Sequence, residues 1–212
     1  FIILGVLVER LTGELLDVMA AAGHRDRPCI WFGKTVWSYG ELLAKANQIA
    51  RVLVEDLGVR PGNRVLLRAA NNPMLVACWF AVLKAGAIAV ATMPLLRAKE
   101  LVYILDKAEV GFALSDARLD ADMKAAGERA KRQPALLLFN SDASDSLEAR
   151  MARKPATFEN CDTAVDDVAL IAFTSGTTGL AKGTVHFHRD IMAICDCFPR
   201  STLKPNREDR FC

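Results

Sequence analysis

The sequence predicts an α/β fold, an open and mostly parallel sheet with helices on both faces. Three observations lead there. Short apolar runs such as "RVLLRA", "AIAVAT", "VGFALS" and "ALLLF" recur along the chain, each too short for a helix. Segments with helical periodicity separate them, so strand, helix and strand alternate as parallel crossover units require. With 212 residues, 52% of them hydrophobic, the chain can bury the core of one domain or of a pair of subdomains.

The opening "FIILGVLVER" has no Met and no basic flank, and its apolar run is about half the length a bilayer needs. It is expected to be neither signal peptide nor anchor, but an arbitrary start. "CIWFGKTVWSY" predicts two short strands around the turn Gly33-Lys34. Ser38, with Glu41 three places on, forms a capping box that sets where the next helix begins. Leu42, Ala46, Ile49, Leu53 and Leu57 fall on one stripe and Gly58 supplies a stop, so 39–57 is expected to be a single amphipathic helix.

"RPGN" is a turn and "RVLLRA" a strand; Asn72 then caps a buried helix with Pro73 in its first position. The run "MLVACWFAVLKAGAIAVATMPLL" is long enough to span a membrane, but Lys84 and the "KAG" break divide it into that helix and the strand "AIAVAT". "AKELVYILDKA" and "DADMKAAGERAKR" are the helices that alternate with "VGFALS" and "ALLLF". The predicted organisation is a first α/β subdomain over 24–139, then a polar surface connection over 140–167 with a short helix near 147–152. Residues 168–212 follow, where the strand "VALIAFT" delivers a polar loop and the helix "HRDIMAICDCF" ends at Pro199.

Charge excludes one class of partner. Lys plus Arg total 27 against 25 Asp plus Glu, a net +2 with the basic residues scattered, so no nucleic-acid footprint is expected. The six cysteines sit at irregular spacings, unlike a secreted disulfide framework, and a reducing cytoplasm fits them best. His186, His188, Cys195 and Cys197 can be drawn as a zinc set. Two residues apart on a helix, however, Cys195 and Cys197 point about 200° from each other, and the intervals match no common structural-zinc pattern.

The functional signal is "TSGTTGLAKG", residues 174–183. Gly176, Gly179 and Gly183 allow backbone amides to approach an anion. Thr174, Ser175, Thr177 and Thr178 add hydroxyl donors, and Lys182 a compact mobile charge suited to phosphate oxygens. The loop therefore predicts a polyphosphate cradle. It is not the Walker pattern, which needs glycine at Ala181 and a hydroxyl at Gly183, nor the dinucleotide pattern. A ligand-free Gly/Thr-rich turn is the competing reading of the loop alone.

"IAFTSGTTGLAKG" closely resembles the phosphate-binding signature of the adenylate-forming superfamily, which comprises acyl-CoA synthetases, peptide-synthetase adenylation domains and luciferases. Its usual form is roughly Y-T-S-G-T-T-G-x-P-K-G, and Ala181 replaces the common proline, which leaves the loop less stiff. "TVWSYGELLAKANQIARVLVEDLGVRPGNRVLL" and "AVLKAGAIAVATMPLL" are similar to the same family's N-terminal half, so the resemblance spans about 24–212. "KGTVHFHRDI" and the thiol-rich helix after it look most like the aromatic acyl-CoA synthetases, the benzoate and 2-aminobenzoate CoA ligases.

The resemblance implies an ATP-dependent acid–CoA ligase. A carboxylate attacks the α-phosphate of Mg²⁺-bound ATP, pyrophosphate leaves, and the thiol of CoA takes the acyl group. Thr174, Ser175, Gly176, Thr177, Thr178, Gly179 and Lys182 are the implied ATP-phosphate ligands, and His188 is expected to cap or orient its helix rather than touch substrate. The implied acid pocket, adenine segment, Mg²⁺-binding glutamate, ribose-binding aspartate, hinge and C-terminal domain lie outside this sequence. The chain is therefore expected to be an incomplete part of the family's large domain, without a complete catalytic set and inactive alone. The alternatives are a non-catalytic nucleotide-binding or interaction module of the same fold, and an unrelated phosphotransferase that would release ADP.

Overall fold

The computed structural model of the chain describes residues 12–174, 181–206 and 209. A short helix α1 (Leu15–Met19) precedes the hairpin β1 (Pro28–Phe32) and β2 (Thr35–Ser38), which turns at Gly33 with φ 59°. Helix α2 (Tyr39–Arg51) starts where the capping box requires. The Glu41 amide donates to Ser38 Oγ at 3.1 Å and the Ser38 amide to Glu41 Oε2 at 2.7 Å. The helix runs on through Val52–Asp56 in a wider turn, so 39–57 is continuous but not α-helical to its end. Leu42, Ala46, Ile49 and Leu53 are fully buried along the expected stripe, and Gly58 takes φ 72° at the stop.

Six strands form one sheet in the order β6-β5-β3-β4-β7-β8. They are β3 (Arg64–Arg68), β4 (Ile88–Thr92), β5 (Phe112–Asp116), β6 (Ala135–Phe139), β7 (Val168–Thr174) and β8 (Lys182–Phe187). All neighbours pair in parallel except β7 with β8. Helices α3 (Pro73–Lys84), α4 (Ala98–Lys107) and α5 (Asp120–Arg129) connect the first four strands in turn. Alternation along the strands sends side chains to two separate cores. Val65, Leu67 and Ala89 pack with α2 and α3, whereas Leu66, Val90 and Ala113 pack with α4 and α5. Helices thus cover both faces, as the sequence predicts.

The apolar stretch around Lys84 is one buried helix and one strand, divided where Gly86 adopts φ 70°. Among the described residues, no helix is long and apolar enough to cross a membrane. The polar segment 140–167 is laced onto the outer side of α2. Asn47 Nδ2 donates to the Ala156 carbonyl (2.9 Å), Gln48 Nε2 to Lys154 (3.0 Å) and Arg51 Nε to Thr157 (2.6 Å). Its short helix α6 (Leu147–Met151) buries Leu147 completely against the same core.

The sequence reading goes from the polar loop directly into a helix, and here the structure differs. An additional strand, β8, lies between them, and only then does α7 (His188–Phe198) begin. Pro199 ends the α-helical stretch, but the chain continues in a wide turn over Pro199–Leu203.

Asp116 closes the far side of the sheet. Its carboxylate is 1% exposed and accepts from the Arg118 amide (3.0 Å) and guanidinium (2.9 and 2.6 Å) and from Asn140 Nδ2 (2.7 Å). Arg118 above all, with Asn140, holds the carboxyl at about 2, below its ordinary 3.8. A carboxylate with a depressed folded pKa stabilises above its unfolded value and loses that contribution as pH falls through the folded one. Asp116→Asn is therefore expected to lower stability by about 1–2 kcal/mol at pH 7, discounted because Arg118 faces water. The deficit should shrink between about pH 4 and pH 2. Urea midpoints of both proteins at pH 7 and pH 3 check this.

Candidate phosphate-binding site

The site is built at the carboxyl ends of the parallel strands, the edge at which open α/β sheets take ligands. Strand β7 carries its last residue, Thr174, to that edge, and β8 starts back from it at Lys182. Thr174 and Lys182 are directly paired Cα partners in the antiparallel ladder, and both side chains are exposed. The first hydroxyl and the single cation of the signature therefore stand side by side at the base of one hairpin. Ser175, Gly176, Thr177, Thr178 and Gly179, the remaining predicted ligands, lie outside the described residues.

Gly183 has a packing reason to be glycine. It pairs with Phe173, and a Cβ built on it would meet Ile171 Cγ2 and Phe173 Cζ at 3.3 Å each. The Phe173 ring is backed by Tyr103 of α4, edge to face at 6.4 Å between centroids, so it has little room to withdraw. A side chain there would press on Ile171 and Phe173, its two face neighbours, while the ladder itself sets Lys182 opposite Thr174.

The histidines do not converge on the hairpin base. His186 is half-buried within β8, beside Leu170. His188 opens α7 and is 2% exposed; its amide donates to the Asp167 carbonyl at 3.1 Å, while Nδ1 is buried with no hydrogen-bond partner. Burial lowers its pKa, and Asp167 opposes that only in part. Of the two expected roles of His188, to cap or to orient its helix, the cap is made by Asp190 instead, which accepts the Phe187 amide on Oδ2 at 2.9 Å. The imidazole is packed inward, and a cap needs an acceptor facing the free amides. Among the described residues no group of three or more His, Cys, Asp or Glu side chains could hold a metal ion, and Cys29, Cys78, Cys161, Cys195 and Cys197 are free thiols.

A depression of about 450 Å³ lined by Glu14, Asp17, Val18, Ala21, Ala22 and Asn160 lies elsewhere. Asp17 sits at the C-terminal end of α3 through its contact with Lys84, which places the depression at the amino edge of the sheet, opposite Thr174 and Lys182. The hydroxyl-and-ammonium chemistry is therefore not in this hollow but on the exposed hairpin.

Known proteins share this fold and much of this sequence. The family model described as AMP-binding enzyme matches residues 18–212. The uncharacterized acyl--CoA ligase YtcI of Bacillus subtilis (strain 168) is 31% identical over 177 residues, covering 82% of this chain and 33% of that protein. The 3-hydroxybenzoate--CoA/4-hydroxybenzoate--CoA ligase of Thauera aromatica is 31% identical over 203 residues, covering 93% of this chain and 38% of the relative. A benzoate CoA ligase structure from Burkholderia xenovorans LB400 superposes with a TM-score of 0.78 at 22% identity, over 92% of this chain and 37% of that one, and so shares the fold. The chain spans about a third of the length of these two curated relatives. A family model that covers nearly all of the described sheet and the whole hydroxyl signature makes the assignment direct: the chain belongs to the AMP-binding enzyme family.

Proposed function

We propose that this chain carries the ATP-phosphate site of an acid–CoA ligase acting on an aromatic carboxylate such as benzoate or 2-aminobenzoate. The observation that carries the reading is the pairing of Thr174 with Lys182 at the carboxyl edge of the sheet, which closes the two ends of the signature into one hairpin. Thr174, Ser175, Gly176, Thr177, Thr178, Gly179 and Lys182 are the proposed phosphate ligands. Hydroxyl donors and one ammonium fit phosphate oxygens, and with no carboxylate in the set Mg²⁺ would enter with ATP, where it would neutralise phosphate charge.

A carboxylate oxygen attacks the α-phosphorus, the bond to the bridging oxygen breaks, and pyrophosphate leaves with that electron pair. Free carboxylate is a poor electrophile, and the mixed anhydride so formed supplies a good leaving group. The sulfur of CoA then attacks the acyl carbon and AMP departs. Lys182 and the hydroxyls hold and screen the β- and γ-phosphates as charge builds on the leaving group. Relatives whose names specify hydroxybenzoates support the aromatic substrate class.

Because those relatives are much longer, the reaction is assigned to the whole protein, and residues 1–212 alone are expected to give no acyl-adenylate. Pyrophosphate exchange into ATP, followed by thioester formation over a panel of aryl and aliphatic acids, tests the reading. The whole protein should exchange in the presence of aryl acids, with AMP as product. Release of ADP, or exchange supported by aliphatic acids alone, would sink the proposal.

A further inference from the structure

A charged side chain sits in the interior beside the proposed site without taking part in it. Arg68 is the last residue of β3, a central strand, and is 1% exposed. Among the described residues its guanidinium makes no hydrogen bond to a carboxylate, although the charge of Asp122 favours its protonated form from a distance. Nη1 donates to the Met93 carbonyl (3.2 Å), and Nη2 donates to those of Pro94 (3.3 Å) and Leu96 (2.7 Å). Nε is buried with no partner. Burying a cation for three neutral acceptors is costly, so the loop it holds is where the benefit must lie.

That loop, residues 93–97, is fastened from other directions as well. Asp122 of α5 accepts the Ala98 amide on Oδ1 (3.1 Å) and the Arg97 guanidinium on Oδ2 (3.2 Å). Thr92 Oγ1 donates to the Leu67 carbonyl at 2.9 Å. A cation therefore takes the carbonyls of the loop while an anion takes an amide at its far end. What this fastening presents is outward: Met93 is 63% exposed and Leu95 80%. Leu96 alone turns inward, partly buried against the core beneath α4 and α5, so the clamp fixes that contact together with the outward side chains.

Its position gives it a role. The strand order reverses between β3 and β5, whose connections lead away from each other to α3 on one face and α5 on the other, and Arg68 at the end of β3 stands beside the crevice where such sheets ordinarily receive a ligand. Here the Arg68 side chain reaches across from the end of β3 to the loop after β4. The next pair along is β4 and β7, with Ala91 opposite Ala172. That is the last pair of the ladder; β4 ends one residue further on, at Thr92, and β7 two residues further on, at Thr174. The clamped loop thus leaves the sheet level with the start of the hydroxyl hairpin.

We propose that Arg68 is a positioning residue for the nucleotide site, acting through residues 93–97 to fix the wall beside Thr174. The proposal rests on the phosphate reading given above. A planar fork with several donors is what three diverging carbonyls require, and neither an apolar side chain nor a point charge reproduces it.

The test uses the purified whole protein with Arg68→Met, Arg68→Lys and, as a reference, Lys182→Ala. In Arg68→Met, amide exchange over 93–98 should accelerate about tenfold or more while that of β3 stays near wild type. The dissociation constant and KM for Mg·ATP should rise about five- to tenfold with kcat changed far less, and Arg68→Lys should recover part of the loss. Unchanged exchange over 93–98, or faster exchange with unchanged ATP affinity, overturns the proposal. If Arg68→Met does not fold, Asp122→Asn loosens the same loop from its exposed end. It should weaken Mg·ATP binding about two- to threefold, and unchanged affinity there overturns the proposal equally. If Lys182→Ala stays within threefold of wild type in both ATP binding and acyl-adenylate formation, the phosphate reading itself has failed and the inference falls with it.

Discussion

Replacing Lys182 with alanine is expected to slow acyl-adenylate formation by the whole protein about hundredfold or more, with a smaller loss in ATP affinity. The ammonium is the only formal positive charge in the signature and is paired in register with Thr174 at the hairpin base. In the ground state the triphosphate charge is shared with Mg²⁺ and water. As the bond to pyrophosphate breaks, charge gathers on the departing oxygens, and a fixed cation is worth more there than before. Thr174→Ala removes one neutral donor and should cost about tenfold, because a neutral hydrogen bond contributes roughly half as much as a charged one. Lys182→Arg keeps the charge but replaces a compact ammonium with a planar fork, so partial activity is expected. Single-turnover formation of acyl-AMP, measured beside ATP binding, separates the two contributions. A Lys182→Ala protein within threefold of wild type in both would falsify the phosphate reading.

Asp17→Ala should have the largest effect on stability. Lys84, the last residue of α3, is completely buried, and its Nζ lies 2.5 Å from Asp17 Oδ2, which also accepts Asn160 Nδ2 at 3.2 Å. Burial lowers the pKa of Lys84, and Asp17 opposes that shift more strongly than Glu14 does. Removing Asp17 leaves a buried ammonium with only the weaker field of Glu14. Loss of one partner of a buried pair costs about 3–5 kcal/mol, and about 2–3 is expected here because the Asp17 side chain is 36% exposed.

The variant should carry a pH signature. With the folded pKa of Lys84 lowered further below its unfolded value, the unfolded chain binds more protons, so stability rises with pH. Asp17→Ala should therefore regain stability between about pH 7 and pH 10, whereas Asp17→Ala combined with Lys84→Met should recover most of it at pH 7. Denaturant titrations across that range measure both effects. A pH-independent deficit would mean that lost packing, and not an uncompensated charge, dominates.

Lys84 also shows what a linear reading can and cannot supply. In the sequence it interrupts an apolar run and so argues against a membrane span, which locates the end of α3 correctly. Nothing adjacent predicts Asp17, 67 residues earlier, as its partner. Arg68 is similar: nothing within "RVLLRA" indicates that its charge is buried, whereas in the fold it is enclosed by the loop after β4. The strand β8 escaped because "KGTVHF" opens with two residues that read as loop and leaves only four for a period-two pattern. Its identity as a strand comes from the ladder with β7. The polar stretch 140–167 reads as a surface excursion, while its anchoring to Asn47, Gln48 and Arg51 depends on contacts more than 100 residues apart.

By itself the sequence determined whatever depends on near neighbours: the alternation of strands and helices, the Ser38–Glu41 cap, the Asn72–Pro73 helix start, and the concentration of hydroxyls, glycines and one lysine on which the proposed site rests. Each of these follows from local backbone preference or from a periodicity of a few residues. Only the tertiary structure decided the strand order, the pairing of Thr174 with Lys182, and the burial of Arg68 and Lys84. These depend on groups far apart in the chain whose desolvation is tolerable only once carbonyls or a carboxylate from elsewhere have closed around them.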